Sequence, residues 1–281
     1  MRIRLLASAF LLATFWPAAA QLLVEVTLEQ NQFLPGETVP ATVRISNRSG
    51  RTLQMGKDED WLTFAVEGRR GSSVHKLGEV PVLGEFTLES SRVAVKKVDL
   101  APYFTLTRPG RYGIVATVRI KEWDSLASSP PKSFDVIEGV KMWFQDFGVP
   151  AAADAGQPPE VRRFALLRAN YLRSALRLYC RVSDASDEKV LKVFPLGEVV
   201  SFGKPEARVD GESRLHVLHQ NGAHSSRYTV INADGEVVLR QLYDYVEGRP
   251  QLGLDREGKI GVLGAVRRPD GNDVPAPKPR S

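Results

Sequence analysis

The chain reads as all-β, in two domains. Three observations predict this. Short runs alternate apolar and polar residues, Gly, Pro, Asn or Asp interrupts the runs, and "PEARVDGESRLHVL" (residues 205–218) returns ungapped as "PQLGLDREGKIGVL" (residues 250–263). A period of two places apolar side chains on one strand face, and the interrupting residues are those that turn a chain.

The first twenty residues stand apart from this pattern. "MRIR" is a basic start, "LLASAFLLATFW" an apolar run and "AAA" a small-residue site, so residues 1–20 are expected to be a signal peptide cut after Ala20. The expected location is secreted or periplasmic. Nothing later approaches the roughly 18 consecutive apolar residues of a membrane helix, so no membrane span is expected. Of 281 residues, 261 remain, enough for two ordinary domains. Losing Arg2 and Arg4 with the leader lowers the formal charge from +5 to +3. The pI of about 9.3 comes from scattered basic residues with no recognition motif, which argues against a nucleic-acid partner. The single cysteine, Cys180, allows no internal disulfide, so the cores must hold the fold alone. In "ALRLYCRVS" it sits on an alternating strand face. A buried free thiol and an intermolecular disulfide are the two open readings.

Residues 21–139 form the first predicted domain. "LVEVTLE" and "ATVRIS" alternate cleanly, with "LPGET" as the turn between them. "WLTFAV", "SRVAVKKVDL" and "SFDVIE" supply further strands, and "LTRPGRYGIVATVRI" (106–120) sets Tyr112 after a Pro-Gly turn at the head of a strand. That arrangement resembles the tyrosine corner of immunoglobulin-like sandwiches. Together, "PGETV" and "PG-x-Y" are similar to turns in immunoglobulin-type modules of bacterial envelope proteins, including macroglobulin-like and fibronectin-like domains. The resemblance covers residues 22–138 and implies a β-sandwich that spaces, presents or binds.

Residues 140–160 read as a junction strand, "VKMWFQDFGV", followed by the Pro/Ala-rich linker "PAAADAGQPPE". Trp143, Phe144 and Phe147 are expected to be covered at the junction, with an exposed aromatic platform as the alternative. "VRRFALLRANYLRSA" (161–175) fits helix and strand patterns, and strand is the reading adopted. Six arginines between 162 and 181 suggest either an anionic-ligand patch or a wet strand face.

The repeat defines the second domain, residues 161–268. Each copy is a strand, a "D-x-E" turn and another strand, preceded by a second hairpin, "LYCRVSDASDEKVLKVF" or "RYTVINADGEVVLRQLY". These four-stranded units resemble propeller blades of secreted sialidase-like repeat proteins, although there are two of them and closed propellers use about four or more. The expected architecture is therefore an immunoglobulin-like β-sandwich followed by a domain of two four-stranded blade-like repeats. Residues 269–281 are expected to be a disordered tail.

No catalytic, cofactor-binding or metal-binding residue is assigned. His216 and His219 are three apart and should face opposite sides of a strand, so a metal would need His224 to fold back. Asp210/Glu212 and Asp255/Glu257 have the residue types of glycosidase acids, but their recurrence points to turn chemistry. No "G-x-S-x-G" occurs, and Cys180 lies mid-strand. The expected function is a non-enzymatic binding or scaffold protein acting on a protein or glycan of the cell envelope, with no cofactor. In this reading the sandwich is the spacer, the repeat domain recognises the ligand, and self-association through the repeats is open. The alternative is a carbohydrate-active, sialidase-like enzyme.

Overall fold

A computed structural model of the protein describes residues 22–68, 73–149, 160–173, 175–246, 248–255 and 257–275. The expected signal peptide and most of the Pro/Ala-rich linker lie outside these residues. The described chain is all-β, and its helical segments are two short 3-10 turns, Ala101–Tyr103 and Lys121–Trp123. None of its helices is long and apolar enough to cross a membrane.

The first unit contains β1 (Leu22–Leu28), β2 (Gln32–Phe33), β3 (Pro40–Asn47), β4 (Leu53–Met55), β5 (Leu62–Gly68), β6 (Phe86–Leu88), β7 (Val93–Asp99), β8 (Gly110–Ile120), β9 (Ser125–Ser128) and β10 (Lys132–Val136). One sheet runs β1-β3-β7 and a second β2-β10-β8-β5, with β9 on β8 and a separate β4-β6 pair. The alternation read from the sequence places Val24, Val26, Val43 and Ile45 against Phe64, Ile114, Ala116 and Val118 in one apolar core. Tyr112 is buried, and its hydroxyl donates to the Arg108 carbonyl at 2.6 Å, tying the head of β8 to the turn before it. Tyr112→Phe deletes that one part-buried bond. An unfolding free energy lower by about 1 kcal/mol is expected in urea denaturation, seen as a lower midpoint with m unchanged.

The second unit contains β11 (Val140–Gly148), β12 (Val161–Tyr171), β13 (Ala175–Asp184), β14 (Val190–Glu198), β15 (Glu206–Val209), β16 (Leu215–Gln220), β17 (Ser225–Ile231), β18 (Val237–Tyr245), β19 (Gln251–Leu254), β20 (Ile260–Leu263) and β21 (Ala265–Arg268). The sheets are β11-β12-β13-β14, β15-β16-β17-β18-β21 and the hairpin β19-β20. Phe164, Leu166, Leu178, Cys180 and Val182 of the first sheet meet Leu215, Val217 and Ile231 of the second in a shared core. The hairpin covers the other face of the second sheet, where Leu252, Ile260 and Val262 pack with Leu218, Tyr228 and Val230.

Three expectations change here. The two repeat copies do not form four-stranded sheets: β13 and β14 belong to one sheet, β15 and β16 join β17 and β18 in another, and β19-β20 stands apart. The cause is β16, buried along its whole length, which is sandwiched between two apolar layers and draws β17 to its free side. The junction strand β11 is a full member of the second unit, paired to β12 from Val140 to Gly148. Of its rings Phe147 is buried and stacked on Phe164 at 4.1 Å, Trp143 is half-buried, and Phe144 is exposed between Lys141 and Arg163. Finally, residues 269–275 of the expected disordered tail are docked. Val274 exchanges two backbone bonds with Arg240, Asp270 pairs with Arg227 at 2.9 Å, and Asp273 pairs with Arg267 at 3.1 Å. The rest of that tail lies outside the described residues.

The two units meet around Leu34, Leu167, Ala169, Tyr179 and Val193. The "LPGE" turn closes with Glu37 N–H donating to the Leu34 carbonyl at 3.0 Å and Gly36 at φ +82°. A side chain on Gly36 would sit 2.9 Å from Val190, so glycine is required there by both backbone and space. The Glu37 carboxylate is buried and accepts bonds from Leu34 N–H and Gln30 Nε2; burial nonetheless raises its pKa.

Candidate functional site

The second unit repeats one hairpin device. At Asp210, the side-chain Oδ1 accepts the N–H groups of Glu212 and Arg214, while Asp210 N–H donates to the Arg214 carbonyl. Asp255 makes the same three bonds with Glu257 and Lys259. Asn232 makes them again with Asp234 and Glu236. In each turn the residue three positions on has a positive φ: Ser213 at 59°, Gly235 at 76° and Gly258 at 77°. An Asx side chain capping its own turn, followed by a left-handed residue, lets a strand reverse tightly. The "D-x-E" repeat is therefore turn chemistry, and Asn232, in a stretch that reads from sequence as strand-turn-strand, is a third instance of the same bonds.

Two of these turns frame a cleft of about 510 Å³ on the outer face of the second sheet. Asp210, Gly211, Glu212 and Arg214 stand on one side, and Gly258, Lys259 and Leu254 on the other. His216, Tyr228, Val230, Val238, Leu239 and Ile260 complete the lining. Its walls are largely apolar, and the charges at the rim are internally paired: Arg214 with Asp210 at 2.8 Å and with Glu212 at 3.0 Å, and Lys259 with Glu257 at 2.8 Å. A hollow in the first unit, lined by Asp60, Thr63, Thr117 and Arg119, is more polar, with an Arg119–Asp60 ion pair in it.

A chain of polar groups runs along one side of the cleft. Asp210 Oδ2 lies 2.9 Å from His216 Nε2, and His216 Nδ1 lies 2.6 Å from the Tyr228 hydroxyl. A carboxylate only accepts, so Nε2 carries the hydrogen and a neutral ring takes the Tyr228 proton at Nδ1. Burial works against the Asp210 charge, but bonds from His216 and Arg214 outweigh it and hold the carboxyl below its ordinary range. Tyr228 is pushed up to about 12, chiefly by burial, so it remains a phenol and a hydrogen-bond donor. Both oxygens of Asp210 are spent on the turn, Arg214 and His216. The arrangement fixes side chains in place and presents a shaped apolar recess with a phenol beside it.

The other sequence candidates do not converge on this cleft. His216 faces the β19-β20 hairpin, while His219, on the same strand, is buried on the side of Leu215 and Val217. His224 stands edge-on to Tyr245. Among the described residues no group of three His, Cys, Asp or Glu side chains is placed to hold a metal ion. Cys180 is fully buried between the two sheets, and burial pushes its thiol up, so an intermolecular disulfide would require the core to open. The arginines of residues 162–181 are dispersed. Arg162 pairs with Glu160 and Asp234, Arg163 with Asp146, Arg181 with Asp187, and Arg177 stacks on Tyr171. The His216–Tyr228 link was hidden from sequence reading because it depends on β16 pairing with β17. The spacing of Asp210 and His216 across one hairpin was the available signal.

No protein-family model matches the chain. No curated protein matches it significantly. Among solved structures, Spo0M, a sporulation control protein from Bacillus subtilis, is similar with a TM-score of 0.31 and 12% identity, over 63% of this chain and 91% of that one. A likeness of that size supports no inference about this chain.

Proposed function

We propose that the protein is an exported, non-enzymatic binding or scaffold protein of the cell envelope, secreted or periplasmic. The first unit is an immunoglobulin-like sandwich serving as a spacer, and the second unit carries the recognition surface. The Tyr112–Arg108 bond supports the immunoglobulin-like reading of the first unit, since a tyrosine corner is one of the marks of such sandwiches. The recognition reading rests on the cleft between the Asp210 and Asp255 turns, an apolar recess with polar groups at its rim, which is the usual form of a binding site. The acids beside it are committed to turns and ion pairs, which favours binding over hydrolysis.

The experiment is affinity capture from envelope extract beside a glycan array, with wild type and Leu239→Glu in parallel. Leu239 lines the cleft and is partly buried, packed at the margin of the cluster of Leu218, Tyr228, Val230 and Leu252, so the variant is compared only after its urea midpoint shows that it remains folded. Wild type is expected to retain a specific partner that Leu239→Glu, with an unchanged circular-dichroism spectrum, retains about tenfold less well. Equal retention by both proteins refutes the cleft as the recognition surface. Turnover of fluorogenic glycosides that vanishes in Asp210→Ala refutes the non-enzymatic reading.

A further inference from the structure

The two copies of the repeated hairpin differ in what lies beside their second strand. In the first copy β16 pairs with β15 on one side and β17 on the other, through Leu215↔Ile231 and Val217↔Thr229. In the second copy β20 pairs with β19, and no strand occupies its other side among the described residues. The divergence begins at Gly264, which aligns with His219 in the repeat. His219 continues β16, whereas Gly264 takes φ +72° and turns the chain away to lie against β18 as β21.

The hydrogen-bonding direction along β20 follows from its turn. Asp255 N–H donates to the Lys259 carbonyl at 2.8 Å, so the polar groups of Lys259 face β19. Alternation in an antiparallel pair then turns the N–H and C=O groups of Ile260 and Val262 outward. These are the residues equivalent to Leu215 and Val217. Among the described residues the Ile260 carbonyl meets only the Tyr228 hydroxyl, at 3.2 Å, and that hydroxyl's single proton is already drawn to His216 at 2.6 Å. Beside this edge lies the cleft, with half-buried Val238 and Leu239 in its lining.

We infer that β20 is the docking edge for an extended segment of another polypeptide, which adds to the β19-β20 hairpin as its third strand and lays alternate apolar side chains on Val238 and Leu239. This deepens the recognition reading above and rests on it. The first copy shows what fills the position: β17, whose Thr229 and Ile231 bond the edge while Tyr228 and Val230 face the hairpin side of the sheet. Backbone pairing supplies affinity in such strand addition, and alternate side chains supply selectivity.

The probe is a capped synthetic peptide copying residues 225–232, SSRYTVIN, titrated into the full-length mature chain with isotope-labelled backbone amides. Saturable shifts are expected at the Ile260 and Val262 amides, with a dissociation constant below about 1 mM. Methylating the peptide nitrogens copied from Thr229 and Ile231 should weaken binding by at least about tenfold, since each lost N–H leaves an edge carbonyl unpaired. Methylating those copied from Tyr228 and Val230, which point away, should leave it within about threefold. No saturable shift, equal loss from both methylated peptides, or shifts elsewhere would overturn the inference. So would a concentration-dependent dimer whose Ile260 and Val262 amides are already protected without peptide, which would give the edge to a second copy. Failure here with a positive Leu239→Glu result leaves the recognition reading standing. Peptide binding with a negative Leu239→Glu result does the reverse.

Discussion

Phe164→Ala is expected to lower the unfolding free energy by about 3 to 5 kcal/mol, the range for removing a buried aromatic ring from a packed core. Phe164 has no exposed surface and stacks on Phe147 at 4.1 Å with 12° between the rings. It belongs to the layer that joins the four-stranded sheet to the five-stranded one, together with Leu166, Cys180, Leu215 and Val217. The loss should therefore reach both sheets of the second unit while leaving the first unit's core, built around Tyr112 and Phe134, as it was. Urea unfolding followed at the two units' amides separately would show this. A loss below about 1 kcal/mol, or an equal loss in the first unit, would mean that the second unit's core is not organised around this ring pair.

Much of this architecture was legible because strand faces are written in period two. The runs around Val24, Val43, Ile114 and Leu178 each bury the side that alternation assigned to the core. Partner choice was not legible. Nothing in "LHVLHQ" says that both faces will be covered, yet all six residues of β16 are buried, and that decides which strands share a sheet. The turn device at Asp210 and Asp255 was visible as a repeat. At Asn232 the strand-turn-strand was legible in "INADGEVV", but not that its bonds equal those at the other two turns, because Asn replaces Asp and the flanking strands look different. The cleft was beyond sequence reading, since Val238 and Leu239 come from β18 while Leu254 and Ile260 come from the hairpin laid over it. Gly264 was readable only as another turn residue. Its consequence for the edge of β20 appears when the chain is seen to leave for β18.

Acid should destabilise the protein well above the carboxylate range, through His219. The ring is 1% exposed, and the polar group beside it, the Glu198 backbone carbonyl, does not complete a full hydrogen bond with either nitrogen. Burial, followed by the charge of Arg227 and, less, of Arg240, lowers its pKa to about 3 against the opposing pull of the Glu198 carbonyl. An unfolded imidazole titrates near 6.5, so between about pH 6.5 and 3 the unfolded chain holds a proton there that the folded chain does not. Stability is therefore present in full above pH 6.5 and is lost as the pH falls, at up to about 1.4 kcal/mol per pH unit. The depressed carboxylates Asp135, Asp146, Asp187 and Asp210 also lose their contribution in acid, but only as the pH falls through the ordinary carboxylate value of about 4 towards their own lower range. Glu37, raised by burial, binds its proton first in the folded state and works the other way, but it is common to both proteins, so over the interval from pH 6.5 to 4.5 the difference between wild type and His219→Leu isolates the histidine. Over it, wild type is expected to lose about 2 to 3 kcal/mol more than His219→Leu, which has no group to protonate and leaves no buried nitrogen unpaired. Urea denaturation of both proteins at half-unit steps of pH provides the comparison. Parallel pH profiles would show that His219 takes up its proton in the folded state, and that the interior between the sheets admits water where the packing says it does not.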